Sequence, residues 1–246
     1  MKTILTILLF IPILGLAQKP KTYNSMEEAL KNPDDVRILF LNGQELTEVP
    51  PEIAQFKNLY QLCISHNEIT ELPLFLFDLI ELTDLDVSHN KITEIPEEIG
   101  NLKELFEFYA DHNLLKAVPG SLFTTPALGF YLNNNLIQEL PNEVTQLGTE
   151  ILDLSYNQIY VLPDSLGNMH ADQLLLAHNE LTEIPESIGN MTKIQALDLS
   201  YNPVEWLPTS LFNCLDLGEL NLKKTKMKRK EVFVFEYVMD WCDIIR

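Results

Sequence analysis

Side chains of the types that bind metal recur at a fixed spacing in the first half of the chain. His66, His89 and His112 follow one another at intervals of 23 residues, and four carboxylates accompany them, Asp84, Asp86, Glu107 and Asp111. If each interval is one structural repeat, the imidazoles lie about 5 Å apart on neighbouring strands, where they and the carboxylates could hold a cation or zinc. Coordination requires ligands to converge within about 2 Å of one ion, whereas parallel strands hold side chains apart. The sequence therefore favours an electrostatic patch, and we predict no metal and no cofactor.

The same region contains the parts of a cysteine hydrolase. Cys63 as nucleophile, His66 or His89 as base and Asp86 as orienting group would be neighbours on adjacent strands. The surrounding sequence supplies no oxyanion hole and no strained nucleophile turn. The chain also lacks a glycine-rich phosphate loop, a Cys-x-x-Cys pair and a His-Glu-x-x-His motif. We therefore expect a protein without catalytic activity.

These side chains belong to a unit that repeats along the chain. Residues 82–103 read LTDLDVSHNKITEIPEEIGNLK, and the same order of leucine, asparagine and proline positions is found one unit earlier at 59–81. The asparagine of the unit recurs at Asn67, Asn90, Asn113, Asn135, Asn157, Asn179 and Asn202. Self-similarity at a period of roughly 20 to 29 residues is typical of a solenoid, in which each repeat is one coil that packs on its neighbours.

The coils run over residues 36–58, 59–81, 82–104, 105–126, 127–148, 149–170, 171–193 and 194–216, with a partial ninth from residue 217. Each begins with an alternating run, such as Leu152-Asp153-Leu154, whose every second side chain points inward. Stacked coils align these runs into one parallel sheet. Eight coils carry a proline on the return path, at Pro50, Pro73, Pro96, Pro119, Pro141, Pro163, Pro185 and Pro208. Few residues remain there, so we expect an irregular or 3-10 convex side.

The asparagine after each strand has a specific predicted role. The chain turns sharply there and buries polar backbone groups, and an amide side chain offers them both donors and an acceptor. Each of these backbone groups would cost about 1 to 3 kcal/mol if it were buried unpaired. Gln44 and Thr225 replace the asparagine in the terminal coils, where atypical residues are expected.

The asparagines, the Leu-Pro or Ile-Pro steps and tails such as EEIGNL at 97–102 make the chain resemble the leucine-rich repeats of about 22 to 23 residues. Similar repeats occur in bacterial surface and secreted proteins and in Ras-associated signalling scaffolds. The resemblance covers about residues 25–230, and residues 22–43 are similar to the capped start of the bacterial members. It implies a curved leucine-rich repeat horseshoe that binds a partner on its concave sheet.

The strand residues between the leucines should form this concave surface. The predicted partner-binding residues are Phe40, Asp84, Asp86, His89, Glu107, Tyr109, Tyr131, Asp153, Tyr156, Asp198 and Tyr201. Large amphipathic rings such as the central Tyr109 and Tyr131 commonly anchor interfaces. We therefore predict a non-catalytic module that binds a protein or peptide on an acidic, aromatic face. The alternative is a structural or carbohydrate-binding module of the cell envelope that uses the same aromatic rings for stacking.

The formal net charge of −19 limits the partners. Acidic residues are spread through the repeats, whereas basic residues crowd near the C-terminus, at Lys223, Lys224, Lys226, Lys228, Arg229 and Lys230. A negative field disfavours nucleic acid and anionic membrane as partners of the repeats, and it favours a basic protein or peptide. The basic run could bind a polyanion, or it could be a solvated loop that offsets the acidic repeats.

Residues 1–17 have the pattern of a secretory signal peptide. Lys2 precedes an apolar run over residues 4–16, which is short for a membrane span of about 20 residues, and small residues precede a cut after Ala17. We therefore expect a secreted, periplasmic or cell-surface protein whose mature chain is not inserted in a membrane. Residues 18–35 are predicted to form a disordered lead, up to residue 24, and then a capping helix of one or two turns that Ser25 and Glu28 open as a capping box.

The repeats, residues 36–230, are followed by a predicted capping helix over residues 231–246. Helical spacing places Val234, Val238, Trp241 and Ile245 on one face, with Phe235, Met239 and Cys242 beside them. Cys214 lies in the eighth coil, which this segment should cover. Cys214 and Cys242 could therefore form a disulfide in an exported chain, and Cys63 would remain a free thiol.

Overall fold

Eleven short strands follow one another in sequence order in a single parallel sheet. The computed structural model describes residues 20–246, so the predicted signal peptide and the start of the lead lie outside the described residues. The strands are β1 (Thr22–Tyr23), β2 (Ile38–Phe40), β3 (Gln61–Cys63), β4 (Asp84–Asp86), β5 (Glu107–Tyr109), β6 (Gly129–Tyr131), β7 (Gly148–Asp153), β8 (His170–Leu175), β9 (Ala196–Asp198), β10 (Glu219–Asn221) and β11 (Asp243–Ile245). The predicted solenoid with one parallel sheet is confirmed.

Short 3-10 segments form the opposite, convex side of the coils, as predicted. They are Pro51–Gln55, Leu74–Asp78, Glu97–Asn101, Gly120–Thr124, Asn142–Gln146, Leu166–Asn168, Glu186–Asn190 and Thr209–Asn213, and a further segment, Pro33–Asp35, precedes the first full coil. Pro96 shows how they start, because its extended backbone presents a carbonyl that accepts a hydrogen bond from Ile99 N at 3.1 Å. The repeated proline therefore fixes where each return path begins.

The core is one continuous apolar column between the sheet and the 3-10 segments, to which every coil contributes leucine or isoleucine. Beside it runs the predicted row of buried asparagines. Asn113 represents them: its Nδ2 donates to the carbonyls of Val87 at 3.0 Å and Ala110 at 3.2 Å, and its Oδ1 accepts from Ile92 N at 3.0 Å. Each asparagine thus bonds its own turn and the preceding coil, which ties neighbouring coils together.

We call the row of buried asparagines, with Gln44 and Thr225 at its ends, the asparagine ladder. The residue before each position of this ladder has a left-handed backbone, which the repeat pattern alone does not predict. This column comprises Gly43, His66, His89, His112, Asn134, Tyr156, His178, Tyr201 and Lys224, with φ between 51° and 67°. Asparagine and histidine are enriched among residues that accept this region, and glycine adopts it without steric cost. The left-handed bend after each strand therefore favours the glycine, asparagine and histidine residues found in this column.

The N-terminal lead is more ordered than expected. Thr22 and Tyr23 form β1 and pair in parallel with β2, and the Tyr23 side chain is buried. The prediction of disorder is wrong for these two residues, because the apolar end of the solenoid gives the tyrosine ring a place to pack. Helix α1 (Met26–Ala29) follows as predicted, but only Ser25 makes its half of the capping box, since Glu28 pairs with Lys21 at 2.7 Å.

The C-terminal capping helix is present but shorter than predicted. Helix α2 spans Arg229–Val238, and residues 243–245 leave it to form β11 beside β10. The predicted apolar face is wrong in part: Phe235 and Met239, expected beside it, are buried together with Val232, whereas Val234, Val238 and Trp241 are exposed. Packing decides the face, because Phe235 meets Phe212 of the eighth coil with ring centroids 5.0 Å apart. Within residues 20–246 no helix is long and apolar enough to cross a bilayer.

All three cysteines are free thiols, and the predicted disulfide is not formed in this structure. Cys214 is fully buried and its Sγ donates to the carbonyl of Ile188 at 3.4 Å, whereas Cys242 points to the carbonyl of Asp243. Burial raises the pKa of each of these two thiols to about 11. The segment from α2 to β11 is held by packing and strand pairing instead.

Candidate ligand-binding surface

The concave face presents one row of side chains from the middle of successive strands. Strand pairing aligns Phe40, Cys63, Asp86, Tyr109, Tyr131, Asp153, Leu175, Asp198 and Asn221. A second row, two residues earlier, brings Asp84 opposite Glu107 and Glu107 opposite Gly129. The register deduced from the repeat is confirmed residue by residue.

Six of the predicted residues form what we call the central patch: Asp84, Asp86, Glu107, Tyr109, Tyr131 and Asp153. At its centre the rings of Tyr109 and Tyr131 are parallel within 3°, with centroids 4.5 Å apart. Beside Tyr109 is a shallow hollow of about 160 Å³, lined by Phe40, Gln61, Leu62, Cys63, Asp84, Asp86 and Tyr109. The patch therefore combines a rigid aromatic pair with a small acidic recess.

The carboxylates of the central patch are held in a partly desolvated setting. Burial raises the pKa of Asp84, Glu107 and Asp153, and the charge of Asp84 raises that of Glu107 further. Burial also raises the pKa of the Tyr109 and Tyr131 hydroxyls, which therefore stay protonated at neutral pH. Negative charge is thus concentrated where water cannot fully solvate it, which favours a cation that approaches the patch.

Glu107 is the least satisfied of these groups. Its Oε2 atom is buried and has no partner within hydrogen-bonding geometry among the described residues, although the nearby hydroxyls of Tyr109 and Tyr131 partly offset the rise in the pKa of the carboxyl group. The carboxylate lies over Gly129 on the next strand, where a Cβ atom would collide with Glu107 and Tyr131. The missing side chain at Gly129 therefore makes room for this carboxylate.

Three serines that the sequence analysis missed position aspartates of the central row. Asp86 Oδ1 accepts hydrogen bonds from Ser88 N at 3.0 Å and Ser88 Oγ at 2.7 Å. The amide of Ser155 donates to Asp153 in the same way at 2.9 Å, and the amide of Ser200 donates to Asp198 at 2.8 Å. The recurrent pattern Asp-x-Ser at 86–88, 153–155 and 198–200 was the available signal.

Of the remaining predicted residues, Phe40 lines the hollow beside the central patch, and the other four lie outside the patch. His89 is the middle ring of a stack with His66 and His112, with centroid separations of 4.1 and 4.0 Å. Tyr156 and Tyr201 enclose His178 in a second stack, at 4.1 and 3.9 Å. Both stacks belong to the left-handed column at the edge of the sheet. Asp198 is separated from Asp153 by Leu175, and its Oδ2 accepts from Asn221 at 3.0 Å.

Part of the metal-ligand set considered above does come together. His89, Asp111 and His112 each place one donor atom within 4.8 Å of the others, whereas His66, Asp84, Asp86 and Glu107 do not join this group. Asp111 Oδ2 is 2.9 Å from His112 Nδ1 and 3.7 Å from His89 Nε2. The rings of His89 and His112 are stacked with centroids 4.0 Å apart and planes 14° from parallel, whereas ligands of one ion must point at a common centre.

Cys63 does not have the environment of a catalytic nucleophile. Its Sγ is 3.1 Å from Asp86 Oδ2 and 3.1 Å from Ser65 Oγ. Burial raises the pKa of the thiol, and the Asp86 carboxylate raises it further. Since the thiolate is the reactive species, this setting disfavours the reactive form of Cys63.

Comparison with known proteins places these features in a family. A leucine-rich repeat family profile matches residues 57–115, and a second leucine-rich repeat profile matches residues 149–169. A search of the curated proteins gives no match.

Among solved structures, the chain is similar to a leucine-rich repeat protein of Leptospira interrogans, with a TM-score of 0.76 and 27% identity over 92% of this chain and 64% of that one. It is also similar to the leucine-rich repeat ectodomain of a membrane receptor kinase from Arabidopsis thaliana, solved in complex with Casparian strip integrity factor 2, with a TM-score of 0.68 and 29% identity over 83% of this chain and 26% of that one. Toll of Drosophila, solved in complex with Spätzle, shares the fold, with a TM-score of 0.72 and 22% identity over 89% of this chain and 32% of that one. The chain spans less than two thirds of the length of each.

A parallel concave sheet, a 3-10 convex side and a buried asparagine ladder define the class of leucine-rich repeat solenoids. The protein is a leucine-rich repeat protein. Leucine-rich repeat domains are a family of protein-binding modules, and the fold is typically non-catalytic.

Proposed function

We propose that this protein is an exported, non-catalytic interaction module that binds a basic protein or peptide segment on its central patch. The observation that carries the proposal is the pairing of two stacked tyrosines with a buried carboxylate oxygen, Glu107 Oε2, that has no partner among the described residues. A lysine or arginine side chain would donate to that oxygen, and its charge would be attracted to a tyrosine ring face that the stack leaves uncovered. Such a contact would offset the free-energy cost of keeping the Glu107 and Asp84 carboxylates ionised where they are partly buried.

The relatives support a protein or peptide as the ligand, without indicating its charge. The Arabidopsis ectodomain is solved with Casparian strip integrity factor 2. Because this chain spans only 26% of that receptor, its own partner is defined here by chemistry alone. Export is proposed from the apolar run over residues 4–16 and the small residues that follow it.

Ring geometry disfavours the carbohydrate alternative. Sugars stack on the free face of an aromatic ring, but Tyr109 and Tyr131 cover one face of each other, and His178 has both faces covered by Tyr156 and Tyr201. Each tyrosine of the central pair therefore has at most one face left for a sugar, whereas its hydroxyl group remains available to hydrogen-bond a peptide.

The test is selection of peptides from a random display library against the full chain, followed by affinity measurement on variants. Selected peptides should be rich in lysine and arginine, and Tyr109→Ala combined with Tyr131→Ala should lower their affinity at least tenfold, because tyrosines at the centre of an interface act as hot spots. Raising the salt concentration from 0.05 to 0.5 M should also weaken peptide binding. Tyr160→Ala is the matched control, since Tyr160 is 51% exposed and lies beyond the strand and its turn. Peptides that bind the double variant as tightly as the wild type would refute the proposal.

A second variant tests the role of Glu107 without removing a ring. Gly129→Ala puts a methyl group where the Glu107 carboxylate lies, so the carboxylate must move. Affinity for the selected peptides should fall while far-ultraviolet circular dichroism stays that of the wild type. Gly148→Ala is the control, because a Cβ atom there meets nothing within 4 Å.

A further inference from the structure

The outward face of the C-terminal cap helix is apolar, although the end of a solenoid normally presents a polar surface. In α2, Phe233 is 62% exposed, Val234 46% and Tyr237 78%, and Trp241 in the following turn is 41% exposed. Phe233 and Tyr237 lie one helical turn apart, with ring centroids separated by 6.5 Å. The opposite face of α2 is already used, because Val232, Phe235 and Met239 are buried against the last coils. An exposed apolar surface of this kind marks a contact site.

A basic cluster adjoins this face. Lys223, Lys224, Lys226, Lys228, Arg229 and Lys230 are all exposed, and none is in an ion pair among the described residues. Lys230 shares the outward face of the helix, since it precedes Phe233 by three residues and Tyr237 by seven. Residues 223–246 contain seven basic and four acidic residues, whereas the rest of the chain contains ten and thirty-two. The positive charge of the molecule is thus concentrated at one end.

We propose that this cap face, defined by Phe233, Val234, Tyr237, Trp241 and the six basic residues, docks on the surface of an anionic lipid bilayer. Exposed tyrosine and tryptophan with flanking lysine and arginine are the residues that lie at a membrane interface. Stable attachment at an interface takes two signals, and this face has both, apolar rings and a polybasic segment. The helix would lie in the plane of the headgroups without crossing the membrane.

The acidic repeats do not oppose this docking, because of where they lie. Eleven strands stacked in order place the far end of the sheet about 48 Å from β11, at about 4.8 Å per step. The screening length at physiological ionic strength is about 8 Å, so most carboxylates are screened from a membrane that contacts only the cap. Among the acidic groups near the cap, Glu236 pairs with Arg246 and Glu231 accepts a hydrogen bond from Lys228 N, whereas Asp240 and Asp243 are exposed.

A second copy of the chain is a poorer occupant of the cap face. A two-fold contact through this face would bring six basic residues against the same six, and like charges at an interface are strongly unfavourable. A head-to-tail contact with the acidic coils of another copy would pair the charges, but it would propagate into rings or filaments, which analytical ultracentrifugation would detect. The lipid surface is the occupant that matches both the rings and the charge.

The experiment uses the full chain carrying Trp206→Phe, so that Trp241 is the only tryptophan. Vesicles of phosphatidylglycerol and phosphatidylcholine should bind the protein in sedimentation and shift Trp241 emission to the blue, whereas vesicles of phosphatidylcholine alone should not. Each lysine near an anionic surface contributes about fivefold to binding. Replacing Lys223, Lys224 and Lys226 with glutamine should therefore lower the partition coefficient between vesicles and water about 100-fold. Phe233→Ser with Tyr237→Ser should abolish the shift. Tyr160→Ser and Lys57→Gln are controls that should change neither quantity.

Three outcomes would overturn the proposal. The first is failure of the folded protein to bind anionic vesicles at low salt. The second is unchanged binding by both cap variants, which would assign it to another segment such as the apolar run over residues 4–16. The third is self-association in analytical ultracentrifugation that the cap substitutions abolish, which would make the face a protein interface.

Discussion

Two rows of polar side chains run along the solenoid, and their hydrogen bonding differs sharply. In the asparagine ladder, every amide from Asn67 to Asn202 is at most 8% exposed and bonds backbone groups of two coils. In the central patch, Glu107 Oε2 is buried without a partner, and burial raises the pKa of Asp84, Glu107 and Asp153. The ladder therefore stabilises the fold, whereas the patch carries an electrostatic cost that a ligand would relieve.

The largest expected effect comes from removing one member of the ladder. Asn113→Ala would leave the buried amide of Ile92 without a partner, and it would remove one of the two asparagine hydrogen bonds that the carbonyls of Val87 and Ala110 each accept. At about 1 to 3 kcal/mol for the unpaired amide and roughly 1 kcal/mol for each lost hydrogen bond, the free energy of unfolding should fall by about 3 kcal/mol or more in urea denaturation. Asn101→Ala is the control and should change it by about 0.5 kcal/mol or less, because Asn101 is exposed. If the two substitutions lowered the free energy of unfolding equally, the ladder hydrogen bonds would not be what makes Asn113 important.

A smaller effect is expected in the left-handed column beside the ladder. His178 has φ 55°, and a β-branched residue there is strained, so His178→Val should lower the free energy of unfolding by about 1 to 3 kcal/mol. His178→Asn should cost less, because asparagine tolerates this backbone. The exposed His170, at the start of β8, is the control position for the same change to valine. A valine tolerated equally at both sites would mean that the backbone does not select this column.

The smallest expected effect is in the central patch, where a substitution should raise the free energy of unfolding instead of lowering it. Because burial raises the pKa of Glu107 in the folded state, its ionised form costs stability at neutral pH and its protonated form does not. Glu107→Gln should therefore raise the free energy of unfolding at pH 7 by about 0.5 to 1 kcal/mol. The gain should disappear as the pH falls below about 4, where the carboxyl group is protonated in both states. A gain independent of pH, or a loss at pH 7, would contradict the view that the patch is under electrostatic strain.

The sequence predicted the interior coils accurately because their buried residues repeat. The apolar strand positions, the asparagines and the prolines recur with one spacing, and this spacing alone placed Asp86 beside Tyr109 and Tyr109 beside Tyr131. The distances and hydrogen bonds within the patch could not be predicted in this way. The position of the Glu107 carboxylate depends on the absence of a side chain at Gly129, which is a departure from the repeat.

The ends of the molecule were predicted less well, since no repeat constrains them. Thr22–Tyr23 and Asp243–Ile245 are strands only because an open sheet edge lies beside them. In α2, both Val234 with Val238 and Val232 with Phe235 offer apolar faces, so periodicity could not choose between them. Contact of Phe235 with Phe212 made the choice, and that contact is not visible in the sequence.

Pairing of each strand only with its predecessor and successor has a consequence for how such a chain can change length over generations. Leu154 and Leu176 occupy equivalent positions in consecutive coils, so an unequal crossover between them would delete 22 residues and join two compatible halves. Strand pairing and the asparagine ladder would both continue across the junction, from Asn135 to Asn179. Recombination can therefore lengthen or shorten the concave face one coil at a time without changing the fold.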